Sequence, residues 1–223
     1  MTVHFQGSTE VVEQFDTVDR VTRTYERFGK RVFDIIFVAL IALPVGAVVL
    51  LLAAVIALDG HNPFFFQRRV GRDGRVFWMV KLRSMVVNSD EALRAHIESN
   101  PAAKEEWDRF QKLSDDPRIT RIGRIIRKLS LDELPQFWNV LTGSMSVVGP
   151  RPMLPSQREL YPGQAYFRKR PGETGFWQIG NRSKTTFAAR AHFDSSYYAK
   201  LSLRTAIAVV LKTVVVVLRG TGV

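Results

Sequence analysis

At 223 residues the chain has room for one sizeable core, or one core with a membrane anchor, and two autonomous domains are disfavoured. A formal charge of +11 alongside 46% hydrophobic residues points to anionic partners, and charge alone does not choose among phosphates, nucleic acid and anionic lipid. With no cysteine there is no disulfide, no thiolate nucleophile and no cysteine-held zinc, and four scattered histidines do not suggest a multi-histidine metal site.

Residues 1–27 read as a polar N-terminal tail. Residues 32–58 are apolar except for Asp34, with Pro44 and Gly46 near the middle, which is long enough to span a bilayer as a helix and too long for a signal peptide. Arg20, Arg23, Arg27, Lys30 and Arg31 precede the run, and Arg68, Arg69, Arg72, Arg75, Lys81 and Arg83 follow it. Both flanks therefore look cytoplasmic. Pro44 removes a backbone donor and clashes with the carbonyl four residues back, so a sharp bend there would return the chain to the leaflet it entered. A straight span remains the alternative, because neighbouring helices tolerate membrane prolines.

Residues 64–85 form two apolar stretches around Gly71, Arg72, Asp73 and Gly74, which predicts a β-hairpin ending in a basic strand over 80–85. Residues 89–113 predict a charged helical excursion broken at Pro101, with no chemistry evident. Ile122, Ile125, Ile126 and Leu129 form a stripe between Arg121, Arg124, Arg127 and Lys128, which suits a membrane surface or a polyanion. Near the end, Leu203–Leu218 carries Arg204 and Lys212 and is followed by Arg219. Those spacings put the cations on one face of an interfacial helix, a core element being the alternative.

Ser130, Leu131, Asp132 and Glu133 fit a capping box, in which the acids do nothing but start a helix. The basic neighbours suggest phosphate chemistry instead. A carboxylate can attack phosphorus and divide one transfer into two steps. A second acid could hold Mg²⁺, which accepts a few carboxylate and phosphate oxygens with water and relieves the repulsion among anionic reactants.

Four blocks then carry a resemblance. RKLSLDELPQFWNVLTGSMSVVGPRP at 127–152 is similar to the signature of the bacterial sugar transferases, the monotopic polyprenyl-phosphate phosphoglycosyl transferases. Lys30, Arg31 and Asp34 agree with it, as do QRRVG at 67–71 with KLRSM at 81–85, and RPGETGFWQIGNR at 170–182. NPAAKEEW at 100–107 and DPRIT at 116–120 resemble the exopolysaccharide galactosyl-phosphate transferases of rhizobia. The resemblance implies a mostly helical α+β fold: a re-entrant membrane helix over 28–59 and a cytoplasmic catalytic domain over 60–223 with a hairpin and interfacial helices.

It also implies that Asp132 attacks the β-phosphate of a UDP-sugar, releasing UMP, and that undecaprenyl phosphate then takes the sugar phosphate. Galactose 1-phosphate is the expected cargo, glucose 1-phosphate the alternative, at the first step of exopolysaccharide repeat-unit assembly on the bacterial inner membrane. Glu133 matches the Mg²⁺-associated acid, Arg127 a phosphate-binding arginine, and Lys81, Arg69, Arg151 and Arg182 other basic positions of the family. Leu43 stands beside Pro44 where the family has serine, Ser144 where aspartate is common, and an acid near Thr205 is missing. Anionic lipids are expected partners, a homo-oligomer is left open, and no nucleic-acid module is recognisable. A non-catalytic scaffold of a polysaccharide assembly complex is the rival reading.

Overall fold

The computed structural model describes residues 24–111, 113–180 and 185–219. The described residues begin with a wide turn, Tyr25–Gly29, that runs directly into α1, Lys30–Ala57. Together they make a helix long and apolar enough to cross a membrane. Leu40 at 76% and Leu43 at 86% exposure are left uncovered by the described residues, as lipid-facing residues would be. Lys30, Asp34 and Val38 are buried at one end, and Ala53 and Ile56 at the other. Pro44 stands inside α1, which is assigned as one helix from Lys30 to Ala57.

The first turns of α1 are pinned to the body by polar groups that explain the Lys30, Arg31, Asp34 trio. Lys30 Nζ donates to the Val148 carbonyl at 2.6 Å and to Ser146 Oγ. Ser146 Oγ and the Val147 N–H each donate to Asp34 Oδ1 at 2.9 Å. Arg31 donates to the Val140 and Leu141 carbonyls at 2.5 and 2.6 Å, satisfying groups that the end of a helix leaves without partners. That helix, Gln136–Thr142, stops at Gly143, whose φ of +88° suits glycine.

The hairpin forms as expected: β1, Phe64–Val70, pairs antiparallel with β2, Val76–Leu82. Its tip takes a left-handed step at Asp73, φ 59°. The basic strand stops at Leu82 rather than continuing to Met85, which makes only an isolated bridge to Ile119. Met79 joins the main core with Val38, Val140, Met145 and Val148, while Leu82 packs with Ala53, Ile56 and Ile126. One strand thus meets residues from both ends of α1.

The charged excursion is two helices, α2 (Ser89–Ser99) and α3 (Pro101–Phe110), divided where Pro101 takes the first helical position and Asn100 accepts from the Ala103 N–H. Arg118 anchors it by stacking 5.4 Å from the Trp107 ring while paired to Asp116 at 2.6 Å. α4, Arg121–Lys128, starts at Thr120, which accepts from the Gly123 N–H. It buries Ile126 and leaves Ile125 at 64% exposure, so much of its apolar stripe faces away from the core.

α5 is Gln136–Thr142. Two short strands, β3 (Ser146–Val148) and β4 (Gly172–Thr174), then pair in parallel. Gly149 and Gly172 allow the contact, since a Cβ on Gly172 would lie 2.0 Å from the Gly149 nitrogen. α6, Arg190–Ala199, leads to α7, Leu203–Leu218, which buries Ala206 and Val209 and exposes Arg204, Lys212 and Arg219. The result is the expected α+β class, mostly helical.

Candidate active site

Between α4 and α5 the chain makes a tight reversal. Ser130 adopts φ 55°, in the left-handed region, and Leu131–Glu133 form one 3₁₀ turn. The capping-box alternative is not realised, because Ser130 makes no side-chain capping bond. Glu133 instead reaches across the fold: its Oε1 accepts from Lys81 Nζ at 2.6 Å and from Arg151 Nη2 at 3.1 Å.

The adjacent acids therefore meet opposite fates. Asp132 is 6% exposed, and burial raises its carboxyl pKa against the pull of Lys81, Arg127 and Arg151, with the Glu133 charge adding to the rise. Burial acts on Glu133 too, yet Lys81 and Arg151, as charges and as donors, hold its carboxyl well below the usual carboxylate range. Glu133 is the fixed anion of the pair. Asp132 is the less stabilised carboxylate, facing cations without, among the described residues, the bonds that tie up its neighbour.

Four of the basic residues expected at the site do converge there, from four different segments. Lys81 comes from β2, Arg127 from the last turn of α4, Arg151 from the segment after β3, and Arg69 from β1, where it donates to the Pro152 carbonyl at 3.1 Å. Arg182 lies outside the described residues. Trp177 is buried, donates its indole N–H to Thr185 at 2.8 Å and lies 5.6 Å from the Arg151 guanidinium. Phe176 packs edge-on against Tyr197. Both aromatics serve as packing.

Of the departures from the family pattern, Ser144 has a structural role. Its Oγ donates to the Asn139 carbonyl and accepts from Asn139 Nδ2, and Asn139 itself binds the β2 backbone at Trp78 and Val80. Thr205 donates to the Lys200 carbonyl before α7.

Two residues were missed by reading the sequence. Glu173, inside the RPGETGFWQIGNR block, has a buried Oε2 with no partner among the described residues, and burial, then the Glu133 charge, raises its pKa well above the ordinary value. Arg190 opens α6 and stacks 4.2 Å over the Trp177 ring. Neither had a local signal, since each gains its setting from residues distant in sequence.

Fold and site together define an anion-handling centre: two carboxylates, one pinned and one not, inside a ring of cations at the base of a long apolar helix. Residues 25–220 match the family model described as bacterial sugar transferase, and the chain belongs to that family. It is 48% identical over 88% of its length to a UDP-galactose-lipid carrier transferase of Erwinia amylovora. It is 42% identical over 87% of its length to the exopolysaccharide production protein ExoY of Sinorhizobium fredii, and 41% over 92% to an undecaprenyl-phosphate galactose phosphotransferase of Salmonella typhimurium. The chain spans 42% and 43% of the Erwinia and Salmonella proteins, and 87% of the rhizobial one.

Proposed function

We propose that the protein transfers a hexose 1-phosphate from a UDP-sugar to undecaprenyl phosphate, through a phosphosugar carried on Asp132, in exopolysaccharide assembly. The observation that carries this reading is the asymmetry of the acidic pair. Lys81 and Arg151 are committed to Glu133, while Asp132 faces the same cations with no hydrogen bond to them among the described residues. In the first step an Asp132 oxygen bonds to the β-phosphorus, the bond from that phosphorus to the bridging oxygen breaks, and UMP leaves with the electron pair. In the second, an oxygen of the polyprenyl phosphate attacks the same phosphorus and the carboxylate departs. Arg127 and Arg151 neutralise phosphate charge during both steps.

Mg²⁺ fits this donor set. Both cations bond Glu133 through Oε1, so Oε2 is the oxygen left for a divalent ion. No cluster of three metal-ligating side chains occurs among the described residues, so phosphate oxygens and water would complete the shell. When bound, the ion would offset the charge of reacting phosphates.

Burial at both ends of α1, with exposed leucines between, supports a helix that dips into one leaflet and returns, with its catalytic domain on the cytoplasmic face of the inner membrane. The outward apolar residues of α4 and α7, set among arginines and lysines, suit anionic lipid. Galactose is the preferred sugar, on the names of the Erwinia and Salmonella relatives. UMP release by purified membranes across a panel of UDP-sugars, with undecaprenyl phosphate as acceptor, tests the reading. Release with UDP-galactose is expected, and none with any nucleotide sugar would overturn it.

A further inference from the structure

Beyond the carboxylates, Arg69, Arg151 and Arg190 face one another where β1, the segment after β3 and the first turn of α6 meet. The Arg190 guanidinium lies 4.2 Å over the Trp177 ring and 4.6 Å over the Phe187 ring. Stacking fixes the plane of the fork and satisfies none of its N–H donors. The Nε of Arg190 and the Nε of Arg69 are both buried without a hydrogen-bond partner among the described residues. Burial, then the charge of Arg151, pulls the Arg69 guanidinium down to about 10 and that of Arg190 to about 9.

Among the described residues, little answers this charge. Asp194 is the carboxylate facing Arg190, and it already accepts from the Tyr161 hydroxyl at 2.8 Å. Burial lifts the Asp194 carboxyl to about 7, so it is only partly ionised at neutral pH. Arg151 spends one bond on Glu133, and Arg69 donates to Pro152 and Gln67. Two guanidinium groups with buried, unused Nε donors, beside a third that is bonded once to Glu133, call for an anion that offers several oxygens at once. Phosphate is that anion.

We infer that Arg190, held flat on Trp177 and joined by Arg69 and Arg151, forms a second phosphate seat beside the carboxylate pair. The inference rests on the transfer reading above and adds a place for the group that leaves or arrives. An in-line displacement puts the departing UMP on the side of phosphorus away from Asp132, and the attacking polyprenyl phosphate must approach from that same side. One seat can therefore serve the nucleotide phosphate and then the lipid phosphate.

The test is equilibrium binding of UMP, and separately of a short-chain polyprenyl phosphate, to the full chain in detergent. Native protein is compared with Arg190→Met and Arg190→Lys, and the unfolding temperature of each is recorded. The expected result for Arg190→Met is a loss of roughly 10- to 100-fold in affinity, the worth of one charge-assisted hydrogen bond, with lysine recovering part of it. Weakening of UMP alone assigns the seat to the nucleotide, of polyprenyl phosphate alone to the acceptor, and of both to shared use. The inference is overturned if native protein binds neither ligand, or if both variants bind both ligands as native does. Native protein that binds UMP yet releases none from any UDP-sugar would leave the seat standing and remove the transfer reading instead.

Discussion

Replacing Glu133 by alanine removes the acceptor shared by Lys81 and Arg151 at 2.6 and 3.1 Å. Each charge-assisted bond contributes about 1.5–3 kcal/mol, and deleting one partner of a buried ion pair costs about 3–5 kcal/mol. The Glu133 side chain keeps 16% exposure, so the lower end applies, about 3 kcal/mol. For a domain of this size that is a fall of roughly 6–12 °C in unfolding temperature. Glu133→Gln keeps the oxygen and the volume but not the charge, and should cost about 1–2 kcal/mol. The pH dependence has a definite sign. Because the folded carboxyl titrates below its unfolded value, its stabilisation is complete at neutral pH and is lost as pH falls below about 4.3. Thermal unfolding followed by circular dichroism in one detergent, at pH 7 and stepwise down to about pH 3, reads both effects. Equal stability of native and Glu133→Ala at pH 7, or a gap that does not narrow in acid, would refute the pairing that sets the two acids apart.

Asp132→Asn should abolish UMP release while leaving the unfolding temperature at neutral pH unchanged or higher. Burial raises the Asp132 pKa, so its ionised form opposes folding as pH rises, and a marked destabilisation would contradict that environment. Gly172→Ala should lower stability and activity together, because the added Cβ meets the Gly149 backbone just past β3 and must push away the segment that carries Arg151. A fully stable, active variant on a calorimetric scan and a UMP assay would count against that packing. Cysteines at Arg27 and Arg75 should both react with an impermeant thiol reagent from the cytoplasmic face alone, and labelling from opposite faces would establish a straight span.

Much of this architecture could be read locally. The Gly-Arg-Asp-Gly turn marked the hairpin, Pro101 divided α2 from α3, and the apolar run over 32–58 marked α1. Where the reading failed, long-range partners decided. Ser130 and Glu133 have the spacing of a capping box, but Glu133 bonds to residues 52 and 18 positions away, and Ser130 turns left-handed to let it. The strand expected over 80–85 ends at Leu82, because beyond it the Arg83 N–H pairs with the Pro63 carbonyl and Met85 only bridges Ile119. Lys30 and Asp34 carried only a family likeness until β3, more than 100 residues away, supplied Ser146 and Val148. Glu173 and Arg190 were invisible for the same reason, since burial and unanswered charge are properties of the assembled site.

If Asp132 carries the sugar phosphate, the covalent intermediate can be trapped by withholding the acceptor. Purified protein incubated with Mg²⁺ and UDP-galactose, without lipid acceptor, should gain the mass of one hexose phosphate, mapped by peptide analysis to Asp132 and discharged on adding undecaprenyl phosphate. Unmodified protein under conditions that support turnover, or an adduct that persists in Asp132→Asn, would contradict it.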